Sequence, residues 1–139
     1  MDINWIGPAA AASTFLGVWI GHVSVRKIER EVDRIWIPAT IALILGLGLE
    51  LASLRTDNLS LSAICGILGV TLLWDSLELA VRQPRRVKVG HAPANPNNSR
   101  HARILAEHAT ATTIDWLKRD PRGFPYSDAE LQAVRDITK

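Results

Sequence analysis

Asp75 and Glu78 stand three residues apart in an apolar run, "GVTLLWDSLELAV", and His22 stands in another, "FLGVWIGHVSV". Carboxylates and an imidazole in such surroundings can hold a proton or a cation, because an imidazole titrates near neutral pH and pairs with an acid at its own level. The same side chains can equally serve as polar clamps between helices, with no part in transport. Glu50 adds a third acid, in "LGLGLELAS". Which chemistry is open to them depends on the elements that carry them.

Those elements read as membrane spans. Three apolar runs, at about residues 5–25, 35–54 and 59–81, each reach the roughly 20 residues that a helix needs to cross a bilayer at 1.5 Å per residue. The second run shows only Thr40, Glu50 and Ser53 as polar residues and no polar stripe at helical spacing, whereas a helix of a soluble bundle carries a wet face. The breaks, "RKIEREVDR" and "RTDN", are short and charged. The chain beyond residue 81 changes character and becomes polar. The expected fold is all-α: three transmembrane helices followed by a cytoplasmic tail with two short helices. Its division is a membrane domain over 1–89, a Pro, Gly and Asn linker over 90–98 and a helical tail over 99–139. Cys65 is the only cysteine, so no intramolecular disulfide forms, and the N-terminus lacks the positive region of a cleaved signal.

Lysine and arginine set the expected orientation. Arg26, Lys27, Arg30 and Arg34 lie between the first two spans, and Arg82, Arg85, Arg86 and Lys88 follow the third. Basic flanks stay in the cytoplasm, which places the N-terminus outside and the C-terminus inside. Close packing in lipid relies on small residues, and the first span has them every fourth position at Ala9, Ser13, Gly17 and Gly21. That face is expected to pack on a helix of this chain or of a partner. Asp75 then lies about 9 Å from the cytoplasmic end of its span and Glu78 about 4.5 Å. Glu78 is expected to reach water or pair with Arg82, Asp75 to face another helix, and Glu50 to neighbour Arg55 near the external end.

The stretch "LLWDSLELAVRQPRRVKVGHAPANPNN" resembles the closing motif of a family of small uncharacterised bacterial three-span inner-membrane proteins. The matching positions are Trp74, Glu78, Leu79, Arg86, Val87, Gly90, Pro93, Asn95 and Pro96, together with Gly21 and His22 at the end of the first span. The resemblance covers about residues 6–97. It implies three spans in a bacterial cytoplasmic membrane and brings no activity.

In the tail, "SRHARILAEHATATTIDWLKRD" reads as a helix with Ser99 as its cap and Ala102, Leu105, Ala109, Thr112 and Trp116 on one face. "YSDAELQAVRDITK" opens with a capping box, Ser127 and Glu130, and predicts a second helix from Asp128 to about Ile137. Two short helices cannot build a core, so they lie on the membrane, dock on the bundle or bind a partner. Trp116 and Leu105 are the expected docking residues. His101 and His108, about 10.5 Å apart along one helix, read as surface or docking residues and not as a metal pair. No catalytic motif, cofactor fingerprint or nucleic-acid module stands in the sequence. The expected function is therefore a non-catalytic membrane subunit, an anchor or assembly factor among other membrane or cytoplasmic protein subunits. The alternative is a small oligomeric transporter or channel for protons or cations, a homo-oligomer using His22, Asp75 and Glu78.

Overall fold

Unbroken apolar sequence leaves a backbone in lipid only internal partners for its N–H and C=O groups, and long helices are the consequence. The computed structural model describes residues 4–115 together with Ala129, Glu130, Gln132 and Asp136. Its three long helices are α1 (Ile6–Glu31), α2 (Trp36–Arg55) and α3 (Leu59–Leu77). Each is long and apolar enough to cross a bilayer. α3 runs through a π-helical turn (Glu78–Arg82) into α4 (Gln83–Lys88), and α5 (Ser99–Glu107) is the short helix of the tail. No strand occurs among the described residues.

α1 continues past the expected end at residue 25, because "RKIERE" consists almost wholly of good helix formers and nothing there breaks the ladder. Pro38 sits in the first turn of α2, where its missing N–H goes unused. Asn58 caps α3 by accepting from the Leu61 N–H at 3.0 Å. The third span does not stay α-helical to residue 81. Its backbone changes to i→i+5 bonding at Glu78, with the Gln83 N–H donating to the Glu78 carbonyl.

α3 is the central helix. It packs on α2 and on α1, whose contact with each other is slight. On the α2 side the backbones cross at two glycines: a methyl group on Gly46 would lie 2.8 Å from Leu73 Cγ and 3.0 Å from the Gly69 carbonyl oxygen. Serines tie the same pair together. The Ser53 hydroxyl donates to the Ser62 carbonyl and the Ser62 hydroxyl to the Ser53 carbonyl, both at 2.9 Å, and Ser76 donates to the Ala39 carbonyl at 2.8 Å. Such bonds contribute about 0.6–2 kcal/mol each in lipid.

The tail corrects the sequence reading in two places. α5 ends at Glu107 instead of running to about residue 120, and Asn98 caps it, accepting from the Arg100 N–H at 3.0 Å, with Ser99 as the first helical residue. The reason for the early stop is the β-branched run Thr110, Thr112, Thr113 and Ile114, which disfavours helix. Ala109 and Thr112 therefore do not extend the face of Leu105. Leu105 itself packs with Ile104 against a small core of Val87, Ala92 and Ala94. Trp116 lies outside the described residues. So does most of the second expected tail helix, of which Ala129, Glu130, Gln132 and Asp136 are helical.

Residues 108–115 fold back over the linker. The Ala94 N–H donates to the Thr112 carbonyl at 2.8 Å, and the Thr110 hydroxyl donates to the Lys88 carbonyl at 2.6 Å. Gly90 makes the turn beneath them with φ +76°, and a methyl group there would lie 2.5 Å from the Thr110 carbonyl oxygen. Gly90→Ala should thus combine a left-handed backbone with a backbone clash, together about 1–3 kcal/mol. Hydrogen exchange at the Ala94 and Ala111 amides is expected to accelerate at least tenfold in this variant. Unchanged protection would show that residues 108–115 are held without the turn.

Candidate functional site

The face of α1 that meets α3 repeats every four residues, and all five buried residues of α1 belong to it: Ser13, Gly17, Gly21, Val25 and Glu29. Ala9, one step earlier, is half-buried. The glycines let α3 approach. A methyl group on Gly17 would lie 3.3 Å from Leu68 and from Thr71, and one on Gly21 would lie 2.6 Å from Asp75 Oδ2. Asp75 thus rests its carboxylate on the Gly21 backbone.

Beside this contact α1 and α3 line a groove of about 510 Å³, bounded on its far side by Leu49 of α2. Its wall along α1 combines small residues (Ala9, Ala12, Ser13, Gly17) with Leu16 and Ile20, and Asp75 reaches its lining from α3. Asp75 is buried, at 8% exposure, and its side chain makes no hydrogen bond among the described residues. Among the described residues the side-chain hydrogen bonds between spans are made by serines.

The other intramembrane polar residues go to separate places. Glu50 faces α3 on its opposite side, where a methyl group on Gly69 would lie 2.6 Å from Glu50 Oε1. That buried oxygen has no hydrogen-bond partner among the described residues, so Arg55 is not its neighbour in an ion pair. Glu78 pairs with Arg86 at 2.9 Å and accepts from Gln83 Nε2 at 3.4 Å. The expected partner, Arg82, lies over Trp74 with its guanidinium 5.1 Å from the ring centroid. The π turn is the cause, since it brings Arg86 and not Arg82 to Glu78. His22 has its ring exposed, near enough to Asp75 for a Coulomb interaction but without a hydrogen bond to either acid.

Sequence reasoning missed a second polar centre, where the basic end of α1 meets the tail. Glu29 is buried at 2% exposure and His101 at 0%. Glu29 Oε1 accepts from Arg100 Nη2 at 2.7 Å and meets His101 Nε2 at 2.5 Å. The other ring nitrogen, Nδ1, accepts from the Asn95 N–H at 2.9 Å, so in the neutral ring Nε2 carries the proton and donates to Glu29. Asn95 Nδ2 donates to Asp33 at 3.2 Å. Nearby, Arg26 and Arg30 each reach Asp115 at 3.2 Å. His101 is therefore an interior residue and not a surface one. Its partner could have been suspected from the four-residue stripe of α1, which runs past Gly21 through Val25 to Glu29.

Chemically the two centres differ. The one at the tail is a network of ion pairs and hydrogen bonds that fastens the tail to α1, although Glu29 Oε2 and Arg100 Nε are buried in it with no hydrogen-bond partner among the described residues. The intramembrane one offers an acceptor with no donor beside it. Among the described residues no three His, Cys, Asp or Glu side chains come together as a metal-ion site. A family model described as "Domain of unknown function (DUF4491)" matches residues 4–98. No curated protein matches the chain, and no solved structure does.

Proposed function

We propose, starting from the fact that the chain belongs to the DUF4491 family, that it is a non-catalytic subunit that seats another protein in a bacterial cytoplasmic membrane. The observation that carries this reading is the groove along α1 and α3. Three spans arranged with one helix in the middle leave the two outer helices unable to cover each other, and the groove beside the α1–α3 contact is left open to a further helix. The tail supports the reading from the other end. It is fastened to the bundle through Glu29, Arg100 and Asp115, so a partner meets a preformed surface.

The orientation belongs to the same proposal. The basic turn between α1 and α2 and the basic stretch Arg82–Lys88 share one end of the bundle, and lysine and arginine at span ends mark the cytoplasmic side. A reporter fused after Lys139 should behave as cytoplasmic; activity of a periplasmic-type reporter there overturns the topology. For the subunit role, purification in mild detergent followed by mass spectrometry should give a stoichiometric partner protein. A lone homo-oligomer that carries proton or cation flux in proteoliposomes would instead favour a transporter. The geometry gives that alternative little support, because Glu50 and Asp75 sit on opposite sides of α3 and Glu78 is already paired.

A further inference from the structure

Asp75 is buried, at 8% exposure, it lines the groove, and no side chain among the described residues hydrogen-bonds to its carboxylate. Glu50 also has a buried oxygen with no partner among them, but it faces Gly69 and not the groove. Ionisable groups inside a span normally pair with one another, because lipid supplies no water to replace their hydration. Five of the cations at this end of the bundle are engaged elsewhere, Arg26 and Arg30 with Asp115, Arg86 with Glu78, Arg82 on Trp74 and Arg100 on Glu29, and among the described residues no Lys or Arg forms an ion pair with Asp75. His22, beside it on α1, leaves its ring exposed and makes no hydrogen bond to it.

We propose that the occupant of this groove is a transmembrane helix of a different protein, carrying a lysine or arginine at the depth of Asp75. The inference rests on the subunit reading above and names the chemistry of the partner. Three observations select this occupant. Along α1 the groove is lined by the small Ala9, Ala12, Ser13 and Gly17 together with Leu16 and Ile20, a surface of ridges and gaps that suits a second helix and that a fluid acyl chain does not need. The carboxylate at the groove calls for a donor of opposite charge, which an acyl chain does not bring to that depth. A second copy of this chain brings no Lys or Arg to that depth, since residues 6–25, 36–54 and 59–81 contain none and offer only His22.

The test uses the full chain in lipid vesicles with designed leucine- and alanine-rich transmembrane peptides. The peptides carry Lys, Leu or Glu at the level of Asp75, and association is read by energy transfer between labels. The Lys peptide is expected to bind at least tenfold more tightly than the Leu peptide, and the Glu peptide more weakly than either. Asp75→Asn, which keeps shape and polarity, should reduce the Lys preference to less than threefold; Glu50→Gln, on the other side of α3, should leave it intact. Equal binding of the Lys and Leu peptides to the parent overturns the proposal. So does self-association of the chain that excludes all three peptides, which would assign the groove to a second copy. The two readings fail separately. A native partner that stays bound to Asp75→Leu removes the charge pairing and keeps the subunit role. A Lys preference in a protein that purifies without a partner keeps the cation site and removes that role.

Discussion

Replacing Glu29 by alanine is expected to detach the tail from the membrane domain. Glu29 is buried, and one of its oxygens takes both the Arg100 guanidinium at 2.7 Å and the His101 ring at 2.5 Å. Removing one partner of a buried ion pair leaves the others desolvated and uncompensated. Arg100 is partly exposed, with a third of its side chain open to solvent, so the loss falls toward the low end of the range, on the order of 3 kcal/mol. Arg100 also donates to the Leu79 carbonyl at 3.1 Å and more weakly to Ala80, and these bonds loosen once its acid is gone. Trypsin cleavage after Arg100 and Arg103 should accelerate at least tenfold in Glu29→Ala, with the α1–α3 fragment remaining intact. Glu29→Gln keeps an acceptor and should show a smaller change. Equal cleavage rates in the parent and in Glu29→Ala would mean that the returning segment 108–115, not this network, holds the tail.

Gly46→Ala should separate α2 from α3, whereas Gly48→Ala, two residues on, should not. At Gly46 the added methyl meets Leu73 at 2.8–2.9 Å and the Gly69 carbonyl at 3.0 Å. The leucine can turn away, but the carbonyl belongs to a helix backbone and cannot move alone. Overpacking of this kind costs about 1–3 kcal/mol. At Gly48 there is nothing within 4 Å, and alanine is the better helix former. Unfolding of the two variants in mixed micelles, compared with the parent, should therefore differ in sign or by at least about 1 kcal/mol. Identical midpoints would show that α2 and α3 do not cross at these glycines in a membrane.

The three spans were legible because a bilayer fixes both the length and the composition of what crosses it. The four-residue stripe of α1 was legible as far as Gly21, because small residues announce close approach by their size. Its continuation was not. Val25 and Glu29 keep the spacing but not the size, and the charged "RKIERE" suggested that the buried part of the helix had ended. His101 was misread for a related reason. The residue that buries it lies 72 positions earlier in the chain, beyond the reach of any local pattern. In the tail, helical spacing outweighed the β-branched residues after His108, and the chain followed the latter. The acids were found by type, and their depth followed from counting. The partner of Glu78 was not found, because the count assumed an unbroken α-helix between Glu78 and Arg86.

That break has a consequence for how the two halves of the protein are coupled. In a regular α-helix each residue advances the phase by 100°, so Glu78 and Arg86, eight apart, would stand about 80° out of line. The i→i+5 turn absorbs one residue, the interval counts as seven, and the mismatch shrinks to about 20°. The turn therefore works as an indexing joint within one continuous rod. The part before it is phased to α1 and α2, and the part after it is phased to Glu78 from one side and to the linker and tail through Val87 from the other. Losing a single residue between 78 and 82 would leave a perfectly good helix, yet swing everything beyond it by about 100°. The segment is in this sense a length standard: its residue count, more than the identity of any one side chain, sets whether the tail lands on the end of α1.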